Sequence, residues 1–505
     1  MDTVEALKQD VKEGRISAER LVDLVADLCR KLEAANQHNE ALNRRIEELE
    51  KQCGGALTAK VEEPFSTRAE EQRQEARGKK RRKRKPKGRR GRVSTADKVA
   101  RTERTEDVFP ADVPPDACRL SHVRPVWRLE DGRAVLVAYR IYRGPGDRYG
   151  RIPGVLGRSE YGLEIVTEIA YLVYIVGLSF DKVCHLLDFF QGLRLRKSQA
   201  DTLLSQLSRD WEREFDSLCT LLANSMVVHA DETRWSLNSV WAFLSEKARV
   251  LLFGVHKDAG TLQQVLDPAT FAGILISDDA AVYAPFTRAQ KCWAHLLRKA
   301  IKLTLQGPDN AAYRTVTDRL LEIYREACRV QRDGRLCDAG RARKALALDD
   351  EIFDLCVANW LPDQPPSNGL DKDYRLLVSE VLRLLLRQEL LTFVTAKPTE
   401  QPNGTTKPVD GTNNEAERTL RGAAQARLTG RTSKTINGAR RQTILTSVLQ
   451  SLRLYLPTFT LSSVLAELKR WWATRRSCFA ELMEKLELGP PERSVLDQVL
   501  PGPSG

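Results

Sequence analysis

The sequence predicts a multidomain α/β protein with long helical additions, and three observations predict it. Four short β-branched and aromatic runs, "SMVVHADETRWS", "SVWAFLSE", "RVLLFGVHK" and "AGILISDDA", follow one another with a single helical stretch, "DAGTLQQVLD", among them. Helical sequence dominates on both sides of that cluster. At 505 residues the chain is long enough for roughly two to four domains, each able to bury its own core.

The N-terminal element comes first. Leu21, Leu28, Ala35, Leu42 and Leu49 recur every seven residues, and Val25, Leu32, Asn39 and Ile46 sit four after them. This is the d and a pattern of a parallel coiled coil with one polar a position, so residues 1–52 are expected to form a dimerisation helix. A single amphipathic helix lying on the globular body fits the same heptads. Residues 53–109 read as a linker that contains "RGKKRRKRKPKGRRGR" over 77–92.

That run decides the charge of the chain. Twelve of the 80 Lys and Arg lie in it, and the other 68 are balanced by 68 Asp and Glu, so the whole net charge of +12 resides there. A block that repels itself and contains Pro86 and three glycines cannot bury a core, so a disordered basic arm is expected. Its expected partner is a polyanion, nucleic acid above all, with Lys79, Lys80, Arg81, Arg82, Lys83, Arg84, Lys85, Arg89 and Arg90 as candidate phosphate contacts. A solvated linker is the plainer alternative.

Three further segments precede and follow the strand cluster. Residues 110–159 are rich in Pro and Gly around one strand-like run, "RAVLVAYRIYR", and read as a small β-containing module. Residues 160–225 are helical, and a turn at Gly192 followed by a helix capped by Ser198 resembles a helix-turn-helix, although two packed helices joined by a turn are common in any α-domain. The strand cluster opens an α/β domain over 226–453 with a helical insertion at about 300–400, and 454–505 read as a helical tail.

Several classes are excluded. The most apolar stretch, "IAYLVYIVGLSF", is 12 residues long between Glu168 and Asp181, short of the roughly 20 that span a bilayer, and reads as one buried helix. The first thirty residues alternate charge with apolar positions, so no signal peptide and no membrane partner are expected, and the location is cytoplasmic. Ten cysteines without a C-x-x-C pair indicate reduced thiols and no structural zinc; Cys118 and His122 have a ligand-like gap but no second half-site.

Three acids stand out. Asp231 lies within the first strand, Asp278 at the end of the fourth and Glu417 in the first turn of a late helix opening at "EAERTLRGAAQARL". If the strand order follows that of a ribonuclease H type sheet, the first two occupy neighbouring positions. Carboxylates converging from separate elements are what two magnesium ions require, since each hard cation takes few protein oxygens and leaves room for phosphate and water. Each acid also has an ordinary explanation. Asp231 could mark a strand end and Asp278 a turn, while Asn414 as N-cap would put Glu417 in a capping box with Arg421 one turn on.

These residues resemble those of the DDE transposases of bacterial insertion sequences, most closely the insertion sequence sixty-six family. The resemblance rests on "HADETRW", on "ILISDDAAVY" followed by "KCWAHLLRK", and on "NNEAERTLR", over roughly residues 180–452. It implies a ribonuclease H-like catalytic core in which Asp231, Asp278 and Glu417 hold two Mg²⁺ or Mn²⁺ ions. It also implies that Trp293 and His295 of "CWAH", with Asn413, Asn414 and Arg418, support the active site; a core Trp and a satisfied buried His fit as well. The implied activity is metal-dependent cleavage at the ends of an element and transfer of the 3′-hydroxyl strand into target DNA, by a bacterial, nucleoid-associated homodimer or higher oligomer.

Arg427, Arg431, Lys434, Arg440 and Arg441 after the Glu417 helix are further candidates for DNA contact, or form a solvated helix face. The chain departs from the family pattern at Thr412, where an Asp is usual and Asp410 stands close by, and in offering only Cys118 where a cysteine-rich zinc module is usual. Two other readings remain open, a dimeric DNA-binding remnant without activity and a stand-alone metal-dependent nuclease.

Overall fold

The computed structural model describes residues 93–360, 365–489 and 493–500. The coiled coil expected over 1–52 and the basic arm over 77–92, with Lys79 to Arg90, lie outside them.

A short helix, α1 (Thr95–Val99), leads into a four-stranded sheet of β1 (Arg104–Val108), β2 (Arg119–Glu130), β3 (Arg133–Gly144) and the two-residue β4 (Arg148–Tyr149). β1 runs parallel to β3, while β2 and β4 are antiparallel to it. The β2–β3 hairpin turns through Asp131 and Gly132, at φ of 48° and 77°, the left-handed pair that a two-residue turn matched to strand twist demands. β2 was not evident from the sequence because Pro125 interrupts its apolar pattern. It is tolerated because β2 is the last strand of its path, where a missing N–H need not break a ladder.

Four helices follow, α2 (Leu163–Tyr174), α3 (Phe180–Gln191), α4 (Lys197–Asp210) and α5 (Glu212–Ala223). The single buried helix expected over "IAYLVYIVGLSF" is in fact two: the chain breaks at Gly177, φ 80°, and Ser179 caps α3 by accepting the Lys182 N–H. Gly192, φ 70°, ends α3 as the sequence suggested. Ser198 does not cap α4. Arg196 is the N-cap, its N–H donating to Gln199 Oε1 at 3.0 Å.

The central sheet contains β5 (Val227–Arg234), β6 (Ser239–Ser245), β7 (Arg249–Val255), then α6 (Ala259–Val265), β8 (Ile274–Ser277) and β9 (Ala289–Lys291). Its order is β7-β6-β5-β8-β9, with β5, β6 and β7 an antiparallel meander and β5, β8 and β9 parallel. β9 has only three residues, too few for a sequence signal.

Helices α7 (Trp293–Gln306), α8 (Ala311–Arg332), α9 (Asp338–Ala358), α10 (Gly369–Leu386) and α11 (Thr392–Thr395) then build a core around Leu320, Ile352 and Leu384, which reaches the sheet at Val227, Ile274 and Ile276. A small hairpin, β10 (Thr399–Glu400) with β11 (Thr406–Lys407), precedes α12 (Asn414–Leu428), α13 (Ile436–Tyr455), α14 (Leu461–Thr474), α15 (Cys478–Lys485) and α16 (Val495–Val499). The described fold is thus mixed α/β, and none of its helices is long and apolar enough to cross a membrane.

An open sheet edge invites mispairing unless something covers it. Here α13 does so with hydroxyls. Thr443, Ser447 and Ser451, one turn apart, accept the backbone N–H groups of Phe253, Leu251 and Arg249, each at 2.9 Å. Four residues of helix rise about 6 Å and two of strand about 6.8 Å, so the two repeats stay in step over this length.

Candidate active site

Asp231 is held by strand pairing. Val227, Val228 and His229 of β5 stand opposite Ile274, Leu275 and Ile276 of β8. Continuing that parallel register by two residues sets Asp231 beside Asp278, which lies just past the end of β8. Side chains alternate along a strand, so Asp231 and its neighbour Glu232 leave opposite faces. Glu232 has partners, accepting from Tyr283 Oη and pairing with Lys257 at 2.5 Å.

Asp231 has no such cation. Among the described residues neither it nor Asp278 forms an ion pair; the Asp231 carboxylate accepts the Glu232 N–H at 3.0 Å, and that of Asp278 accepts the Ala280 N–H at 3.0 Å. Burial, then the charge of Glu232 and those of Asp278 and Glu417, push the Asp231 pKa up to about 7.

Glu417 arrives on α12, and the buried side chain of Asn413 fixes where that helix begins. Asn413 Nδ2 donates to the carbonyl of Ala230, next to Asp231, at 2.8 Å, and its backbone N–H donates to Cys292 Sγ at 3.1 Å. The strand of the first acid, the turn after β9 and the helix of the third acid meet on this one residue. The capping box that would explain Glu417 away is absent: Asn413, not Asn414, is the N-cap, without a side-chain cap bond. Instead of Arg421, Glu417 takes Arg298, whose Nη2 donates to both carboxylate oxygens at 2.9 and 3.0 Å, and it lies 3.7 Å from His295 Nδ1.

The "CWAH" residues divide. His295, in the first turn of α7, faces Glu417, whereas Trp293 is wholly buried in the helical core with Nε1 donating to the Leu390 carbonyl at 2.7 Å. Lys291, just before them, is buried, and its Nζ donates to Ser277 Oγ and the Asp278 carbonyl at 3.2 and 3.1 Å. Burial lowers its pKa. Lys291, Cys292 and Arg298 all lie within "KCWAHLLRK" but were not singled out from the sequence; only their membership of that motif could have flagged them. A cleft of about 850 Å³ opens beside Asp278, lined also by His295, Lys299, Lys302 and Arg383.

Of the basic residues after Glu417, Arg418, Arg427, Arg431 and Lys434 are exposed. Arg427 and Arg431 hold the carbonyls of Arg234 and Gly177 at 2.9 and 2.5 Å. Arg440 is paired with Glu212 and Asp497 at 2.7 and 2.8 Å, and Arg441 with Asp201 at 2.7 Å and Tyr174 Oη at 2.8 Å. Those two guanidinium groups fasten α13 to its neighbours, a use the sequence reading did not foresee. Thr412 donates to Asp410 through both its N–H and its hydroxyl at 2.9 Å.

The family model described as Transposase IS66 family matches residues 158–441, a span that holds Asp231, Asp278, Glu417 and every helix between them. The chain belongs to that family. The match covers more than half of this transposase and leaves the β1–β4 sheet outside. No curated protein matches the chain.

Proposed function

We propose that this transposase cuts the ends of an insertion element by hydrolysis and joins the freed 3′-hydroxyl to target DNA, with Asp231, Asp278 and Glu417 as the carboxylates of one active site. The observation that carries the reading is Asp231, a largely buried acid whose pKa is pushed up to about 7 by burial and by three neighbouring carboxylates. A protein that needed Asp231 only for stability would give it a cation or replace it with a neutral group, since a buried charge without a partner costs several kcal/mol. The strand order, an antiparallel meander followed by two parallel strands with acids on the central pair, also supports a ribonuclease H-like core.

Hard carboxylate oxygens from three elements fit Mg²⁺ or Mn²⁺. Asp231, Asp278 and Glu417 would hold the metal, which when bound neutralises charge on the phosphodiester and activates the attacking oxygen. The chain's own residues position the rest. Asn413 holds the helix of Glu417 against β5, and Lys291 steadies the backbone at Asp278 from behind. Arg298 keeps Glu417 ion-paired. Exposed Arg418, Arg427, Arg431 and Lys434 give the rim of α12 and the following loop a positive surface suited to a DNA backbone.

The test is the purified full chain with duplexes ending in candidate element termini, in Mg²⁺ or Mn²⁺. Joined products are expected. Binding without cutting removes the enzymatic reading, and cutting without joining reduces it to that of a nuclease.

A further inference from the structure

We propose that Cys292, His295 and Glu417 form a second site, sharing Glu417 with the first, for a thiophilic divalent ion such as Zn²⁺, and that filling it draws Glu417 away from Asp231 and Asp278. The site stands on geometry; only its consequence for catalysis rests on the proposed function.

One ligand atom from each of the three residues lies within 4.8 Å of the others. Cys292 is the N-cap of α7 and His295 is three residues on, so both side chains reach the same side of the helix start. α12 brings Glu417 to them. His295 Nδ1 is shielded from solvent with no hydrogen-bond partner, and lies 3.7 Å from Glu417 Oε1. A ring nitrogen hidden from water and left without a partner is costly, and a metal ion is a partner that imidazole accepts well. The sulfur has support too. It accepts the Asn413 N–H at 3.1 Å, the kind of outer contact that stabilises a metal-bound thiolate, and Asn413 is itself anchored to Ala230.

Ligand chemistry selects the ion. Thiolate, imidazole and carboxylate are the donors zinc takes, whereas magnesium takes oxygen alone. Three protein ligands leave a fourth, open position for water. On binding, the Cys292 thiol releases its proton to solvent and Arg298 gives up its two bonds to Glu417. Because Glu417 would serve both sites, zinc must weaken magnesium binding by the same factor that magnesium weakens zinc binding.

Cobalt(II) is the probe, titrated into metal-free full-length protein. An intense near-ultraviolet thiolate-to-cobalt absorption is expected, displaced by stoichiometric zinc. Cys292→Ser, which can still accept the Asn413 N–H, should abolish it. His295→Ala and Glu417→Gln should weaken cobalt binding by about 100-fold or more, at least the upper range for loss of an outer-shell partner. No absorption, absorption that survives Cys292→Ser, or unchanged affinity in His295→Ala would overturn the site. Unchanged affinity in Glu417→Gln would overturn the coupling. Because none of these signals is strand cleavage, the site can fail or stand whatever the fate of the proposed reaction.

Discussion

Two largely buried carboxylates near the same strand carry opposite solutions to one physical problem. Asp231 has like charges around it and a pKa pushed up to about 7. Glu415, on α12 two residues before Glu417, meets the same burial, but Lys407 donates to it and Arg249 pairs with it at 2.7 Å, and its pKa comes down to about 2. The difference separates a carboxylate that ion pairs tie into the fold from one that no ion pair of the described residues offsets. Glu232, beside Asp231 but on the other face, belongs with Glu415, since Lys257 and Tyr283 satisfy it.

The largest way to sharpen that comparison is Asp278→Asn, which should reduce strand cleavage to background while element-end binding in a mobility-shift assay stays near wild type. Undiminished cleavage would remove Asp278 from the site. Next, Glu415→Gln should destabilise the protein by roughly 1.5–3 kcal/mol in urea unfolding, the range for hydrogen bonds to charged groups. Its pKa is depressed in the fold, so this stability is present above the unfolded value near 4.5 and lost as pH falls toward about 2. A variant as stable as wild type at pH 7 would break the contrast.

Asp231→Asn should do the reverse. The folded pKa is raised, so its contribution is fully favourable below about 3.8 and is lost as pH rises through about 7. Metal-free Asp231→Asn should therefore be more stable than wild type at pH 8 by roughly 1–3 kcal/mol, with the gain vanishing near pH 4. A destabilised variant at pH 8 would mean that the charge is already compensated. The smallest effect is expected of Arg440→Ala. It should cost about 1 kcal/mol or less and leave the salt dependence of DNA binding unchanged, because its guanidinium is paired within the protein.

The three candidate acids stood out because each breaks a local pattern: charge inside an apolar strand, a pair of Asp after "ILIS", a Glu in a helix opening on "NNE". What lay beyond reach was pairing across long separations. Arg298 and Glu417 are 119 residues apart, and nothing in either neighbourhood announces the other. The hydroxyls of Thr443, Ser447 and Ser451 read as ordinary polar helix positions until β7 is seen beneath them. One mistaken expectation arose from weighing apolar composition over backbone conformation, for "IAYLVYIVGLSF" breaks at Gly177.

The claim that acids from β5, the end of β8 and α12 make one cation site is tested most directly by calorimetric titration of Mn²⁺ into the full chain. Saturable binding is predicted for wild type, weakened by about tenfold or more in each of Asp231→Asn and Asp278→Asn. Equal heats and affinities in all three proteins would contradict it.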